Sequence, residues 1–129
     1  MSRWRTLTFR YGSEWAPDSA FGLDILRLRP DGRYHYENRI RGEMRRSAGE
    51  VDAGRVEDME QWLRTAGFPV VPPQSIPPGS SMVEFVVDDE TGSHTVRLLH
   101  SSALGLPGYG DLVRSLEAWA TSLREGLPI

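Results

Sequence analysis

The chain contains no cysteine and no lysine, and the first of these absences restricts its possible functions. Without cysteine, thiolate catalysis, cysteine-ligated zinc and redox switching are excluded. A chain of 129 residues buries about 65–70% of its unfolded surface, so it can fold without disulfides or a structural metal. All 15 basic residues are arginine, which we interpret as coding bias because arginine occurs at every kind of position.

Long apolar runs are also missing. No segment approaches the roughly 18 consecutive apolar residues of a membrane span, and the opening Met-Ser-Arg-Trp-Arg leads directly into a strand-like pattern. We therefore expect no membrane association and a cytoplasmic location. The length suits one hydrophobic core, so residues 1–129 are predicted to form a single domain.

The sequence lacks the patterns of nucleotide, metal and catalytic sites. The glycine-containing stretches Gly12 to Gly22 and Gly105 to Gly110 match neither a Walker motif nor a dinucleotide fingerprint. His94 and His100 lie six residues apart on a predicted strand, about 20 Å in an extended chain, which is too far to share a metal. The serines after His100 form no nucleophile motif. We predict a non-enzymatic protein with no cofactor.

Charge is distributed unevenly along the chain, whose net charge is −3. Residues 1–46 carry 10 Arg and 6 acids, whereas residues 47–96 carry 2 Arg and 9 acids. This separation predicts one basic and one acidic face, which affects the choice of partners more than the fold.

Alternating apolar and polar residues predict a strand over 4–11 and a hairpin of residues 21–29 and 33–41. Pro30-Asp31-Gly32 supplies the turn of that hairpin. Tyr34 and Tyr36 should point inward. Leu23 and Ile25 interrupt the alternation of the first strand, which predicts either a bulge there or apolar side chains buried on both faces of the strand. Residues 44–51 predict a short edge strand, and residues 82–88 and 94–100 a second hairpin.

Two helices are predicted. Asp52 can cap a helix over 53–66 that ends at Gly67, and Asp111 can cap a second helix with an apolar stripe. The segment Pro69 to Pro78 contains five prolines and should run extended over the surface. The order of elements predicts an α+β fold, in which an antiparallel sheet of five to six strands carries two helices on one face.

Protein recognition is the function that these features favour. Trp15 lies in a polar loop, and Arg39 and Arg41 share a predicted strand face that points to water. Tryptophan and arginine are the residue types that anchor interfaces. We predict a protein-binding surface of Trp15, Arg39, Arg41, Arg45 and Arg46. Trp15 can alternatively fold back over the core, and the Pro69–Pro78 loop is a second possible contact site.

Several features follow one another between residues 56 and 125: the helix end Ala66-Gly67-Phe68-Pro69, the loop through Pro77-Pro78-Gly79, the strands Val83–Val87 and His94–Leu98, and the last helix. This order resembles emfourin, a family of small bacterial cytoplasmic inhibitors of thermolysin-like metalloproteases. The N-terminal half departs from the family. The resemblance implies the architecture more than protease inhibition, and no inhibitory residue is carried over from it.

We therefore expect a non-enzymatic inhibitor or immunity-type partner of another bacterial protein, for which the resemblance to emfourin implies a metalloprotease. Two alternatives stay open. One is a small-molecule-binding or hydrolytic domain with a pocket near His94 or His100. The other is single-stranded nucleic-acid binding through the Arg-rich strands, which the inward tyrosines and a sequence pI near 5.6 make less favourable.

Overall fold

Residues 4–12, 23–40, 43–74 and 81–125 are described by the structure, which is a computed structural model. Six antiparallel strands form one sheet in the order β4-β3-β2-β1-β5-β6. The strands are β1 (Thr6–Gly12), β2 (Leu23–Leu28), β3 (Arg33–Ile40), β4 (Glu43–Glu50), β5 (Met82–Asp89) and β6 (Gly92–Leu99); the helices are α1 (Ala53–Ala66), α2 (His100–Ala103) and α3 (Tyr109–Glu125). The predicted α+β class, with an antiparallel sheet of five to six strands, is confirmed.

The first hairpin turns where the sequence predicts. Gly32 has φ 91°, and a Cβ at this position would lie 2.3 Å from the Val51 carbonyl oxygen, so only glycine fits. The Asp31 carboxylate accepts from the Arg33 backbone N–H at 2.9 Å and closes the turn. Both tyrosines of β3 lie on the helix side of the sheet, as predicted.

The phase change in β2 reflects burial on both sides rather than a bulge. Pairing of β2 with β1 and with β3 is continuous from Leu23 to Leu28. Leu26 and Leu28 are buried beneath the helices, while Ile25 is only 8% exposed on the opposite side. A strand between two other strands can bury an apolar side chain on each face when neighbouring side chains cover it.

Helix α1 has the predicted bounds and caps. Asp52 Oδ1 accepts from the Arg55 backbone N–H at 2.9 Å, which satisfies one of the free donors of the first turn. Gly67 takes the left-handed conformation at φ 75°, and its N–H donates to the Arg64 carbonyl at 3.1 Å. After this cap the described part of the proline-rich segment, residues 69–74, forms no strand, as predicted.

The second predicted helix begins earlier than expected, so the prediction of Asp111 as its cap is wrong. Helix α3 begins at Tyr109, and Asp111 lies within its first turn. Gly108 contacts α1 so closely that a Cβ there would lie 2.4 Å from the Trp62 carbonyl oxygen. This close approach and the buried Tyr109 ring position the start of the helix. The short α2 was not predicted, because four residues carry too little periodicity.

All the helices lie against one side of the sheet, which we call the inner face; the opposite side is the outer face. The apolar stripes of α1 and α3 pack against the inner side chains of the strands in one core. Its largest fully buried members include Phe9, Tyr36, Phe85 and Tyr109. The predicted placement of two helices on one face is confirmed for α1 and α3.

A buried polar cluster ties the last turn of α3 to the sheet. Asp24 is 3% exposed and accepts from the Tyr36 hydroxyl at 2.5 Å and from the Asn38 amide at 2.8 Å. Its second oxygen accepts from Arg124 at 3.0 Å. Burial, followed by the hydrogen bond to Asp24, raises the pKa of Tyr36 well above its usual range. A buried carboxylate is tolerated when its oxygens are satisfied in this way.

Trp119→Ala is expected to lower the free energy of unfolding by about 3–5 kcal/mol, the usual cost of truncating a buried aromatic residue. The Trp119 ring is 2% exposed and contacts Tyr34 and Arg55. Trp62, in contrast, is only half-buried at the edge of the core, so Trp62→Ala should cost less. Urea denaturation measures both variants. Equal losses would contradict this packing.

Candidate binding surface

No helix among the described residues covers the outer face, which makes it the candidate binding surface. Directly opposed residues of antiparallel strands share a face, and the strand register therefore identifies its members. Most of them are charged or hydroxylated. The charged side chains of the outer face in the strands are Arg10, Arg27, Arg33, Glu37, Arg39, Arg46, Glu50, Glu84, Asp88 and Arg97.

A broad groove of about 940 Å³ crosses the middle of the outer face. Ile25 and Val86 supply apolar surface in it, and threonines of β1 border them. Five arginines and two carboxylates line the groove, an excess of three positive charges, together with His35. The arginines are Arg10, Arg27, Arg29, Arg33 and Arg39. The chain as a whole has a net charge of −3, so this face is distinctly more basic than the molecule.

Both carboxylates of the groove are already bonded within the protein. Glu84 accepts from Arg10 at 3.4 Å and from Arg97 at 2.5 Å. Asp88 accepts a hydrogen bond from the Ser93 hydroxyl. These two acids therefore balance positive charge on the β1, β5 and β6 side of the groove. The β2 and β3 side keeps its excess of positive charge.

Two arginines of the groove have no carboxylate partner in the described residues. Arg27 and Arg29 are exposed, and neither side chain is in an ion pair there, in contrast to Arg33, which lies 3.7 Å from both Asp31 and Glu50. A guanidinium presents five N–H donors in a planar fork that suits carboxylates. Arg27 and Arg29 can therefore bind acidic groups of another molecule without breaking an internal ion pair.

Two of the predicted binding residues share the outer face near the β4 edge. Arg39 lies 2.7 Å from Glu37, and Arg46 lies 3.4 Å from the same carboxylate. Exposed ion pairs of this kind contribute little to stability, about 0–1 kcal/mol. Both arginines border the groove region and stay within reach of a bound molecule.

Arg45 lies on the inner side of the sheet, separate from Arg39 and Arg46. It is paired with the buried Asn38 in the β3–β4 register, and its guanidinium donates to the Arg124 carbonyl at 3.3 Å. It lines a small cavity of about 190 Å³ with Asn38, Glu43 and Arg124. The predicted surface of five residues is therefore divided between two faces. Trp15 and Arg41 lie outside the described residues.

The central arginines of the groove were missed in the sequence, although a signal for them was present. Arg27 and Arg29 continue the alternation that begins at Ile25, which places them on the face opposite Leu26 and Leu28. The positive charge on that face of β2, rather than the arginines at the end of β3, was the signal that indicated them. Arg10, on β1, joins the same groove only through the strand order, which no local pattern contains.

The histidines predicted to border an alternative pocket lie at opposite ends of β6. His94 is beside the β5–β6 turn, with Nε2 3.0 Å from the Thr91 hydroxyl and 3.2 Å from Asp89. In a nucleophilic relay, one ring nitrogen contacts the hydroxyl and the other contacts the acid. Here the same nitrogen is near both groups, and the Thr91 hydroxyl donates to Asp89 at 2.6 Å. The arrangement stabilises a turn and does not activate the hydroxyl.

His100 begins α2 and is bonded on the inner side of the sheet. Its Nε2 lies 3.1 Å from Glu117, and its ring lies 4.9 Å from that of Tyr11. Burial, followed by the charge of Glu117, raises the pKa of Tyr11. Neither His94 nor His100 lines the outer groove. Residues 4–12, 23–40, 43–74 and 81–125 contain no group of three or more His, Asp or Glu side chains placed to hold a metal ion.

Comparison with known proteins adds no family. No protein-family model matches the chain, and no curated protein matches its sequence significantly. The resemblance to emfourin therefore rests on the sequence features alone. No helix in the described part of the chain is long and apolar enough to cross a membrane.

Thr91→Val is expected to raise the pKa of Asp89 toward its ordinary value of 3.8, because the Thr91 hydroxyl is the main cause of its lowered pKa. A lowered pKa in the folded state stabilises the fold above pH 3.8, and this contribution is lost as the pH falls. The variant should therefore be slightly less stable than the wild type at neutral pH, and this difference should disappear as the pH falls through the folded-state pKa of Asp89. Carboxyl NMR titration of Asp89 measures the shift, with Thr95→Val as the control. An unchanged pKa would contradict the assigned hydrogen bond.

Proposed function

We propose that this chain is a non-enzymatic protein-binding domain, an inhibitor or immunity-type partner of another bacterial protein, and that an acidic surface of that partner docks on the outer face. The observation that carries the proposal is the basic groove, in which Arg27 and Arg29 have no ion-pair partner among the described residues. A cytoplasmic location belongs to the same proposal, because the resemblance to emfourin implies it.

The composition of the groove supports a protein partner. Val86 and Ile25, the latter only 8% exposed, add apolar atoms to a lining that is otherwise mostly polar or charged. Protein interfaces commonly combine an apolar centre with a polar rim, and arginine is enriched among the residues that dominate binding energy. Bidentate contacts between guanidinium groups and carboxylates add strength and orientation. A partner rich in Asp and Glu fits this combination best.

Single-stranded nucleic acid fits the same face less well. Proteins that bind single strands combine a basic groove with aromatic side chains on which bases stack. The described strands place no Phe, Tyr or Trp side chain on the outer face, because Tyr34 and Tyr36 belong to the inner side, where the Tyr34 ring contacts Trp119 at 4.8 Å. Phosphates could meet the arginines, but the described strands offer the bases the His35 imidazole and no larger aromatic ring to stack on.

Arg27→Glu is expected to weaken partner binding about tenfold or more, because it places a like charge opposite an acidic surface. The matched control is Arg64→Glu, which makes the same change in net charge on exposed α1. Wild-type and variant chains serve as bait in a nuclease-treated lysate of the native organism, and retained proteins are quantified by mass spectrometry. The affinity of the retained protein is then measured with purified components at two salt concentrations.

The proposal requires a protein that is retained by the wild type and by Arg64→Glu, lost with Arg27→Glu, and released by salt. Equal retention by both variants would remove the groove as the docking site. Retention that is seen in a parallel untreated lysate but not in the nuclease-treated one would point to nucleic acid instead.

Our specific candidate for the partner is a thermolysin-like metalloprotease, because the resemblance to emfourin implies it. The chain is expected to slow peptide hydrolysis by such a protease in proportion to its concentration, and Arg27→Glu should inhibit less than Arg64→Glu. A fluorogenic peptide assay with the purified protease measures this. Full activity at a large excess of the chain would reject this candidate without rejecting binding to another acidic protein.

A further inference from the structure

The two edge strands of the sheet, β6 and β4, differ in how their outward backbone groups are hydrogen-bonded. At the β6 edge, the side-chain amide of Gln74 donates to the Arg97 carbonyl at 2.7 Å and accepts from the Leu99 N–H at 3.2 Å. A primary amide with this pair of bonds replaces one peptide unit of a neighbouring strand. The β6 edge is therefore partly closed by the chain itself, which is a common protection against unwanted strand pairing.

Among the described strands, β4 lies at the edge of the sheet with β3 as its neighbour. The Val51 N–H donates to the Gly32 carbonyl at 2.9 Å, and this pair continues the β3–β4 register. Hydrogen-bonded pairs alternate along an antiparallel ladder, so the odd-numbered residues of β4 bond to β3. The backbone N–H and C=O groups of the even-numbered residues point away from β3; these residues are Met44, Arg46, Ala48 and Glu50.

We propose that a second copy of this chain pairs antiparallel with the β4 edge, about a two-fold axis that passes through Ala48, and joins two sheets into one of twelve strands. About this axis, Arg46 is opposite Glu50 of the second copy, and Ala48 is opposite itself. Three residue pairs then exchange backbone hydrogen bonds. Ala48 is small and exposed, so the centre of the pairing is free of bulky side chains.

Charge complementarity selects this occupant and this axis. Within one chain, Glu37 is opposite Arg46 and Arg33 is opposite Glu50. Pairing about Ala48 joins these pairs into one row of four side chains that crosses both copies. The row runs from Glu37 to Arg46 and then to Glu50 and Arg33 of the second copy, and the sign of the charge alternates at each step. The two-fold axis generates a second such row that begins in the second copy. Opposite charges on directly opposed residues stabilise strand pairing.

Neighbouring axes fit less well. An axis through Arg46 would place two arginines directly opposite each other, which is unfavourable. An axis through Ser47 would place Arg46 opposite Ala48 and Glu50 opposite Met44, so neither charge would have an opposed partner. In one register, the charges of β4 thus complement those of the same strand in a second copy. A surface selected only for solubility does not require such complementarity. This inference does not depend on the identity of any other partner.

Sedimentation equilibrium over a concentration series tests the edge. The wild type is expected to reach twice the mass of one chain, and Ala48→Pro is expected to remain a single chain, because proline removes an outward N–H at the centre of the pairing. The matched control is Thr95→Pro, which removes an outward N–H at the β6 edge and should still form dimers. Circular dichroism checks that both variants are folded.

Mixing two charge variants tests the register. Arg46→Glu and Glu50→Arg should each dimerise at least tenfold more weakly than the wild type, because each creates two like-charge contacts. In an equimolar mixture both contacts become attractive, so a heterodimer should form, detectable by native mass spectrometry when one chain is isotope-labelled. A wild type that stays monomeric throughout, a dimer that survives Ala48→Pro, or a mixture with no preference for the heterodimer would each overturn the proposal.

Discussion

Because α1 and α3 lie against the same side of the sheet, six strands have to bury most of their apolar side chains in one direction. The inner side chains of all the central strands meet the helices in one core. A sheet with one covered face commonly shows hydrophobic residues inward and polar residues outward along each strand. The outer face is consequently available for charge, and its arginines do not compete with packing. Some apolar side chains lie on that face as well. Ile25 is 8% exposed there and depends on neighbouring side chains for its cover.

The buried Asp24 cluster restricts how these layers can fit together. Its carboxylate takes donors from Tyr36 and Asn38 on β3 and from Arg124 on α3. A slip of one residue between β2 and β3 would reverse the faces and leave a buried charge without its partners, which is far more costly than a missed apolar contact. The cluster therefore specifies the strand register and the seating of α3 together. It also holds the last turn of α3 beside β4, where Arg45 donates to the Arg124 carbonyl.

Local patterns were enough to predict most of the fold, because alternation, helical periodicity, caps and turn residues are all properties of neighbouring residues. Asp52, Gly67 and Gly32 took the positions expected from their chemistry. The binding surface was harder to predict for a physical reason. Which face a side chain occupies depends on counting residues by twos, and that count does not continue through the connection between β3 and β4. Arg39 and Arg45 are an even number of residues apart, yet they lie on opposite faces. The strand order, which brings Arg10 beside Arg27, depends on pairing between distant segments and has no local signal.

The distribution of charge on the outer face goes further than solubility requires. The chain has more acidic than basic residues, so enough carboxylates exist to pair with every arginine of the groove. Carboxylates do pair with Arg10, Arg33 and Arg39. Arg27 and Arg29 have no ion pair among the described residues, and the acids of α1 lie on the other side of the sheet. Arginines gathered on one face repel one another, and this repulsion raises the free energy of the isolated chain. Binding an acidic surface would relieve that repulsion and add charge-assisted hydrogen bonds, whereas a neutral surface could do neither. The separation of charge is therefore better matched to a bound state than to the free protein.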